Sequence, residues 1–162
     1  MFFDRKVYIG CGLTHAPPEF RAEIEGFKIN VKSFCTVLSF LGLGDFPPYE
    51  IYRYDIHDCV MRCCLMVAVC DHPATGLGYE MATQVEARGM PCLAIAREGS
   101  LVSDLIIDTR QPGFEFRRYR DLRTDGATLV ADKLARMQKD DETQHPLFPE
   151  FVRGQSRMRL AV

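Results

Sequence analysis

Residues 65–98 read LMVAVCDHPATGLGYEMATQVEARGMPCLAIARE, and this stretch decides the fold. An apolar strand runs into a glycine-broken loop, a helix opens on Glu80, and a second apolar strand follows. In an open parallel sheet the ligand crevice lies beyond the carboxyl ends of the strands, and a carboxylate at the head of the next helix points into it. Glu80 is therefore the leading candidate for a catalytic residue. Gly76 and Gly78 are expected to let the backbone turn sharply and approach a ligand closely. The spacing fits neither GxGxxG nor a phosphate-binding loop, because no Lys-Ser/Thr pair follows. The expected working group is a carboxylate rather than a cradle of backbone amides.

Outward from this unit, strands and helices alternate. Lys6 to Gly10 reads as a strand that enters the loop CGLTHAPP. Pro17 and Pro18 suit a first helical turn. Phe20, Ile24, Phe27, Val31, Phe34, Leu38 and Leu41 then recur at three- and four-residue steps, which predicts one long amphipathic helix ended by Gly42 and Gly44. A weak strand is expected over Tyr49 to Tyr54, a helix over Asp55 to Arg62 and a buried strand over Cys64 to Cys70. Gly89 is placed to cap the Glu80 helix, and Pro91 to Ala96 forms the next strand. A short helix near Ser103 to Ile107, a strand at Phe114 to Tyr119 and a helix presenting Ala127, Val130, Leu134 and Met137 complete a mostly parallel five-stranded sheet with helices on both faces. One α/β domain is expected over residues 1–138. The tail, 139–162, is too apolar at Leu147, Phe148, Phe151 and Val152 for a solvated linker and is expected to pack on the domain or on a neighbouring subunit.

Composition excludes several function classes. The 162 residues suffice for one α/β core and are too few for two of ordinary size. A net charge of −2 and a pI near 6.1 give no electrostatic case for a nucleic-acid polymer or an anionic membrane. The densest basic cluster, Arg117, Arg118, Arg120 and Arg123, is diluted by Asp121 and Asp125 and reads as a solvated face. With no leader pattern and no run of about 18 apolar residues, a soluble cytoplasmic protein is expected. The seven cysteines contain no CxxC pair and no histidine at ligand spacing, so they read as small buried hydrophobes in a reducing compartment. Neither a metal nor a cofactor is expected.

The opening YIGCGLT, the GLGYE block and the following ARGMPCLAIARE resemble the nucleoside 2-deoxyribosyltransferases and their relatives, the deoxynucleoside 5′-monophosphate N-glycosidases. The resemblance spans roughly residues 6–119 in order and spacing. It implies a flavodoxin-like three-layer sandwich, a glutamate at Glu80 that attacks C1′ of the sugar, and a covalent deoxyribosyl-enzyme that passes its sugar to another base or to water. It also implies that Tyr8 holds the nucleophile and that an aspartate at the head of the helix before the middle strand contacts substrate. By position this is Asp55, with Asp58 one alignment step away. Ser103 falls on a loop position that faces a neighbouring subunit's site, so a homo-oligomer is implied. Gly10, Gly12, Thr14, Ala74, Gly76 and Gly78 are the other positions expected to contact a small nucleoside or nucleotide.

The residue types fit that chemistry on their own terms. Cleavage of an N-glycosidic bond builds oxocarbenium character at C1′, which a carboxylate stabilises and traps. The chain also departs from both branches of the family. Ala74 stands where the transferases have an aspartate and the hydrolases a phosphate-contacting serine. Gly12 and Thr14 replace the hydrolases' serine and arginine, whereas Ser103 looks like the phosphate-binding branch. Each candidate has a plainer role: Glu80 as a helix-dipole glutamate, Tyr8 as sheet packing, and Asp55 and Ser103 as helix caps. His72, beside Asp71, has no identifiable partner for general-base work. Besides an N-glycosyl transferase or hydrolase, a catalytically weak nucleotide-binding or sensing module is consistent with Ala74 and Thr14.

Overall fold

A computed structural model of the chain describes residues 1–38 and 46–144. Five strands, β1 (Phe2–Cys11), β2 (Cys35–Leu38), β3 (Leu65–Val69), β4 (Cys92–Arg97) and β5 (Phe114–Tyr119), form one sheet in the order β2-β1-β3-β4-β5. Every pairing is parallel. The helices are α1 (Pro18–Lys32), α2 (Pro48–Tyr52), α3 (Thr75–Ala82), α4 (Asp104–Ile107) and α5 (Ala127–Gln144). This is a single-domain flavodoxin-like α/β arrangement. Its winding reverses between β1 and β3, which places the crevice beyond the carboxyl ends of those two strands.

Alternation along the strands sorts the core into two layers. Leu65, Val67 and Val69 of β3, with Val7, Ile9, Leu93 and Ile95, pack against Phe20, Ile24, Phe27 and Val31 of α1 and Val130 and Leu134 of α5. Met66 and Ala68, with Tyr8, Cys92, Ala94 and Ala96, face Ile56, Cys59, Leu77, Met81 and Val85. All five β3 residues are buried, as expected of a central parallel strand covered on both faces. The second layer has small residues, Gly10, Ala68, Ala94 and Ala96, towards the carboxyl ends of its strands, the end at which the crevice forms.

Two elements differ from the sequence expectation. The first helix stops at Lys32, where Ser33 turns the chain with its backbone N–H and its hydroxyl both bonded to the Asn30 carbonyl. Residues 35–38 then form β2, whose β-branched Thr36 and Val37 suit an edge strand. Phe34 and Leu38 continued the helical spacing by coincidence; Leu41, Gly42 and Gly44 lie outside the described residues. The segment expected as a strand at Tyr49 to Tyr54 is instead helical. Pro48 opens α2 at a position where its missing N–H has no bond to lose, and the helix widens into a π turn (Arg53–Cys59) and ends in a 3-10 turn (Val60–Arg62). α3 likewise continues as a π turn, Thr83–Ala87, and Gly89, at φ 61°, closes it as expected. α5 runs on to Gln144, past the boundary expected at 138; residues 145–162 lie outside the described residues.

Polar groups tie the layers together at the crevice end. Asp71, just after β3, accepts from the Tyr119 hydroxyl at 2.6 Å, the Ser100 hydroxyl at 2.9 Å and the Arg97 backbone N–H at 3.0 Å. Arg97 in turn makes a bidentate pair with Glu23 of α1 at 2.6 and 2.7 Å. The arginine cluster near β5 is spent internally. Arg117 pairs with Glu115, Arg118 donates to the carbonyls of Arg97 and Ser100, Arg120 meets Glu98, and Arg123 donates to Ala22. Cys35, Cys59, Cys63, Cys70 and Cys92 are buried in the two apolar layers. No helix among the described residues is long and apolar enough to cross a membrane.

Tyr119 is 1% exposed and its hydroxyl is the donor to Asp71 Oδ2. Tyr119→Phe should lower stability by about 1–2 kcal/mol, the net worth of a hydrogen bond to a half-buried carboxylate. Urea denaturation measures this, and an unchanged midpoint and slope would show that the bond contributes nothing net.

Candidate active site

A cavity of about 410 Å³ opens at the β1/β3 switch point. Its walls are the end of β1 and the following loop (Tyr8, Cys11 to His15), the helical stretch before β3 (Ile51, Asp55), and the loop and first turns of α3 (Pro73 to Leu77, Glu80). Seven of the sequence candidates, Glu80, Tyr8, Asp55, Gly12, Thr14, Ala74 and Gly76, line it.

Glu80 is not at the head of α3. The helix begins at Thr75, five residues earlier, so Glu80 lies in its second turn and reaches back over β1. Gly10 makes this possible: a Cβ there would lie 2.7 Å from Glu80 Oε2. Gly10 thus contributes to the site by absence, leaving the carboxylate room against the sheet. The helix-dipole reading of Glu80 fails with its displacement from the first turn, where that effect is confined. Gly76 and Gly78 do not turn the chain sharply. Both lie within α3 at ordinary negative φ, and a Cβ at either would meet open space.

The electrostatics of Glu80 follow from its surroundings. Burial pushes its carboxyl up to about 8, the nearby Asp55 carboxylate pushes the same way, and a hydrogen bond from Tyr8 pulls against both. Tyr8 is 1% exposed, and burial together with the charges of Glu80 and Asp55 holds its phenol well above the usual tyrosine range. It is therefore a permanent donor to Glu80. Asp55 is pushed up to about 6 by burial. Its Oδ1 is buried with no hydrogen-bond partner among the described residues, an arrangement that native proteins keep for a reason. Cys11, also in the wall, is pushed up to about 12 by burial and stays a neutral thiol.

Asp55 was expected at the head of a helix. It lies instead in the π turn that continues α2, one turn after Ile51, so the two share a face and both reach the cavity. Asp58 is turned away, 3.7 Å from Arg62. Ser103 does not line this cavity. It caps α4, accepting from the Leu105 N–H at 3.3 Å, and borders a second cavity of about 340 Å³ on the other side of the first turn of α3, which Gly78 also lines. His72 packs edge-on against Phe20, with ring centroids 4.5 Å apart, between α1 and the loop. Sequence reasoning missed Thr75, His15 and Ile51. The Pro47-Pro48 pair was the available signal for Ile51, since it starts the helix that orients both Ile51 and Asp55.

Neither the family models nor the curated proteins match this sequence. Among solved structures the chain is similar to the CMP N-glycosidase BcmB of Clostridium botulinum, with a TM-score of 0.58 and 16% identity over 78% of this chain and 99% of that one. It is also similar to the lysine decarboxylase LdcF of Francisella novicida, with a TM-score of 0.49 and 11% identity over 83% of this chain and 18% of that one, a likeness too loose to bear on the site. The first likeness establishes a shared α/β fold.

The raised Glu80 carboxyl carries a consequence for stability. Its value in the folded protein, about 8, lies above its ordinary value of 4.5, so folding favours the protonated form. The cost is absent below about pH 4.5, grows as pH rises, and is fully present above about pH 8. Glu80→Gln should therefore stabilise the protein at pH 8.5, by roughly 2 kcal/mol or more, and have little effect at pH 4.5. Equal melting temperatures of the two proteins at pH 8.5 would rule out a strained, buried carboxylate.

Proposed function

We propose that the protein cleaves the N-glycosidic bond of a nucleoside through a covalent glycosyl-Glu80 and passes the sugar to another base or to water. The observation that carries this reading is the pairing of Glu80 with Asp55 in one cavity, with the Tyr8 hydroxyl bonded to Glu80 and Gly10 opening the space it occupies. In the ionised form Glu80 attacks C1′ from the face opposite the base and traps the developing oxocarbenium ion. Tyr8 fixes the carboxylate rotamer, and a displacement of 1 Å at such a group is costly. With Asp55 at about 6 and Glu80 at about 8, the proton between those pH values rests on Glu80, and attack at C1′ requires that it first pass from Glu80 to Asp55, which then serves as the acid for a departing neutral base. Leu13, Ile51 and Leu77 supply apolar walls for the ring of the base. The likeness to a CMP N-glycosidase supports this class of reaction at the level of the fold.

Glu80→Ala should lower kcat by several orders of magnitude while the protein still folds, as expected when a nucleophile is removed. Tyr8→Phe keeps the packing and should lower kcat/KM roughly ten- to a thousandfold. Product analysis by mass over a nucleoside panel, with and without adenine as acceptor, measures both; near wild-type turnover by folded Glu80→Ala would eliminate the reading and leave a binding module.

A second reading, cleavage of a nucleoside 5′-monophosphate, is favoured by the substrate in the name of the structural neighbour and by the backbone N–H groups at the head of α3, where Ala74 provides no side-chain cap. Against it, the described residues of the cavity wall include no Lys or Arg, and a dianionic phosphate normally takes charge-assisted bonds. Free nucleosides should be preferred in kcat/KM over their 5′-monophosphates. A strong preference for the monophosphate, with only base and sugar phosphate released, would make the hydrolase reading the right one.

A further inference from the structure

The described residues of the cavity wall include two carboxylates and no lysine or arginine to balance them. One of the two, Asp55, presents a buried Oδ1 that accepts no bond from the described residues. Ionised Glu80 is opposed first by burial and then by the neighbouring Asp55 charge, with the Tyr8 hydroxyl as its compensating donor. An unpaired buried charge is expensive, and a ligand that supplies the opposite charge removes that expense. Leu13, Ile51, Pro73 and Leu77 offer a flat ring apolar contact, with Thr14, His15 and Thr75 as further polar side chains in the wall.

We propose that the substrate of this site is a nucleoside with a cationic base, a quaternised heteroaromatic ring of the pyridinium or N7-alkylpurine type. This rests on the reading of the site as an N-glycosidase. Such a ring lies between the apolar walls with its positive charge against Asp55 and Glu80, and it leaves without general-acid help. Glu80 Oε forms a bond to C1′ as the C1′–N bond breaks, and the bonding pair returns to the ring nitrogen, which departs as a neutral base. Water then adds at C1′, the C1′–O bond to Glu80 breaks, and the water's proton passes to Asp55 and on to solvent. Each turnover consumes one water and releases one proton, and the base receives none.

The test compares nicotinamide riboside and N7-methylguanosine with the neutral nucleosides uridine and guanosine, each kcat/KM being divided by the rate of uncatalysed cleavage to remove leaving-group differences. A parallel arm measures binding of 1-methylnicotinamide and of nicotinamide to the wild-type protein and to Asp55→Asn. The normalised kcat/KM should favour the cationic substrates by about tenfold or more, and 1-methylnicotinamide should bind about tenfold more tightly than nicotinamide in the wild type alone. Turnover of nicotinamide riboside should persist above pH 8, where the last proton leaves the acid pair and cleavage of neutral nucleosides declines. Equal normalised rates, with equal binding of the two nicotinamides, would overturn the cationic substrate and leave the glycosidase reading intact. Absence of cleavage for every member of the panel, and for 2′-deoxyuridine and 2′-deoxyguanosine as well, would overturn both.

Discussion

The site depends on one steric allowance: a carboxylate from the second turn of α3 lies against the sheet because β1 carries no side chain at Gly10. A methyl group there would occupy the place of Glu80 Oε2. The allowance has an electrostatic corollary, since burial of a carboxylate accommodated in this way favours its acid form. Tyr8, two residues earlier on the same face of β1, supplies a compensating hydrogen bond for that charge. Period-two alternation along one strand thus delivers both the space and the donor. The small residues Ala68, Ala94 and Ala96 of β3 and β4 continue the same face, so the sheet is thin where the crevice opens and thick with Leu, Ile and Val on the other side.

The central βαβ unit was legible because each of its signals is local. Leu65 to Val69 and Cys92 to Ala96 are continuous apolar runs of strand length, and Gly89 falls where a helix must end in the left-handed region. Residues 34–41 misled because Phe34 and Leu38 preserve the three- and four-residue steps of α1, so periodicity alone extended a helix that Ser33 had already ended. The β-branched pair Thr36-Val37 was the contrary signal, and only pairing with β1 gives it weight. Tyr49 to Tyr54 misled in the opposite sense. Its aromatics suit a strand by propensity, yet Pro47-Pro48 starts a helix and that helix carries through to Arg62.

Less of the site was legible than its residue list suggests. Glu80, Tyr8 and Asp55 do converge on one cavity, but the reasons differ from those read in the sequence. Glu80 works from the second turn rather than the helix head, and Asp55 works from the π turn after Ile51 rather than from a cap. The π widening shifts the face on which later residues project, and no one-dimensional spacing encodes it. Ser103 lies off the cavity in a single chain, so whatever part it has at a glycosidic bond requires a neighbouring subunit or a different loop position. The glycines divide in the same way: Gly10 is required by contact, whereas Gly76 and Gly78 have room to spare.

The two polar clusters at the crevice end have opposite characters, and that contrast separates scaffold from chemistry. Asp71 is saturated, with three donors converging on its two oxygens from Tyr119, Ser100 and the Arg97 backbone, and the Arg97–Glu23 pair extends the lattice to α1. A carboxylate so fully bonded is a fixed strut, and it anchors the loop that leads through Pro73 and Ala74 into α3. Across that loop, Glu80 takes a hydrogen bond from Tyr8, and Asp55 Oδ1 has no donor among the described residues. Buried polar groups left short of partners destabilise a fold, and here the saturated carboxylate, Asp71, precedes the loop whose following helix carries Glu80. The rigidity around Asp71 and the strain around Glu80 are therefore two parts of one arrangement. The first fixes the geometry in which the second is available to a ligand that completes it.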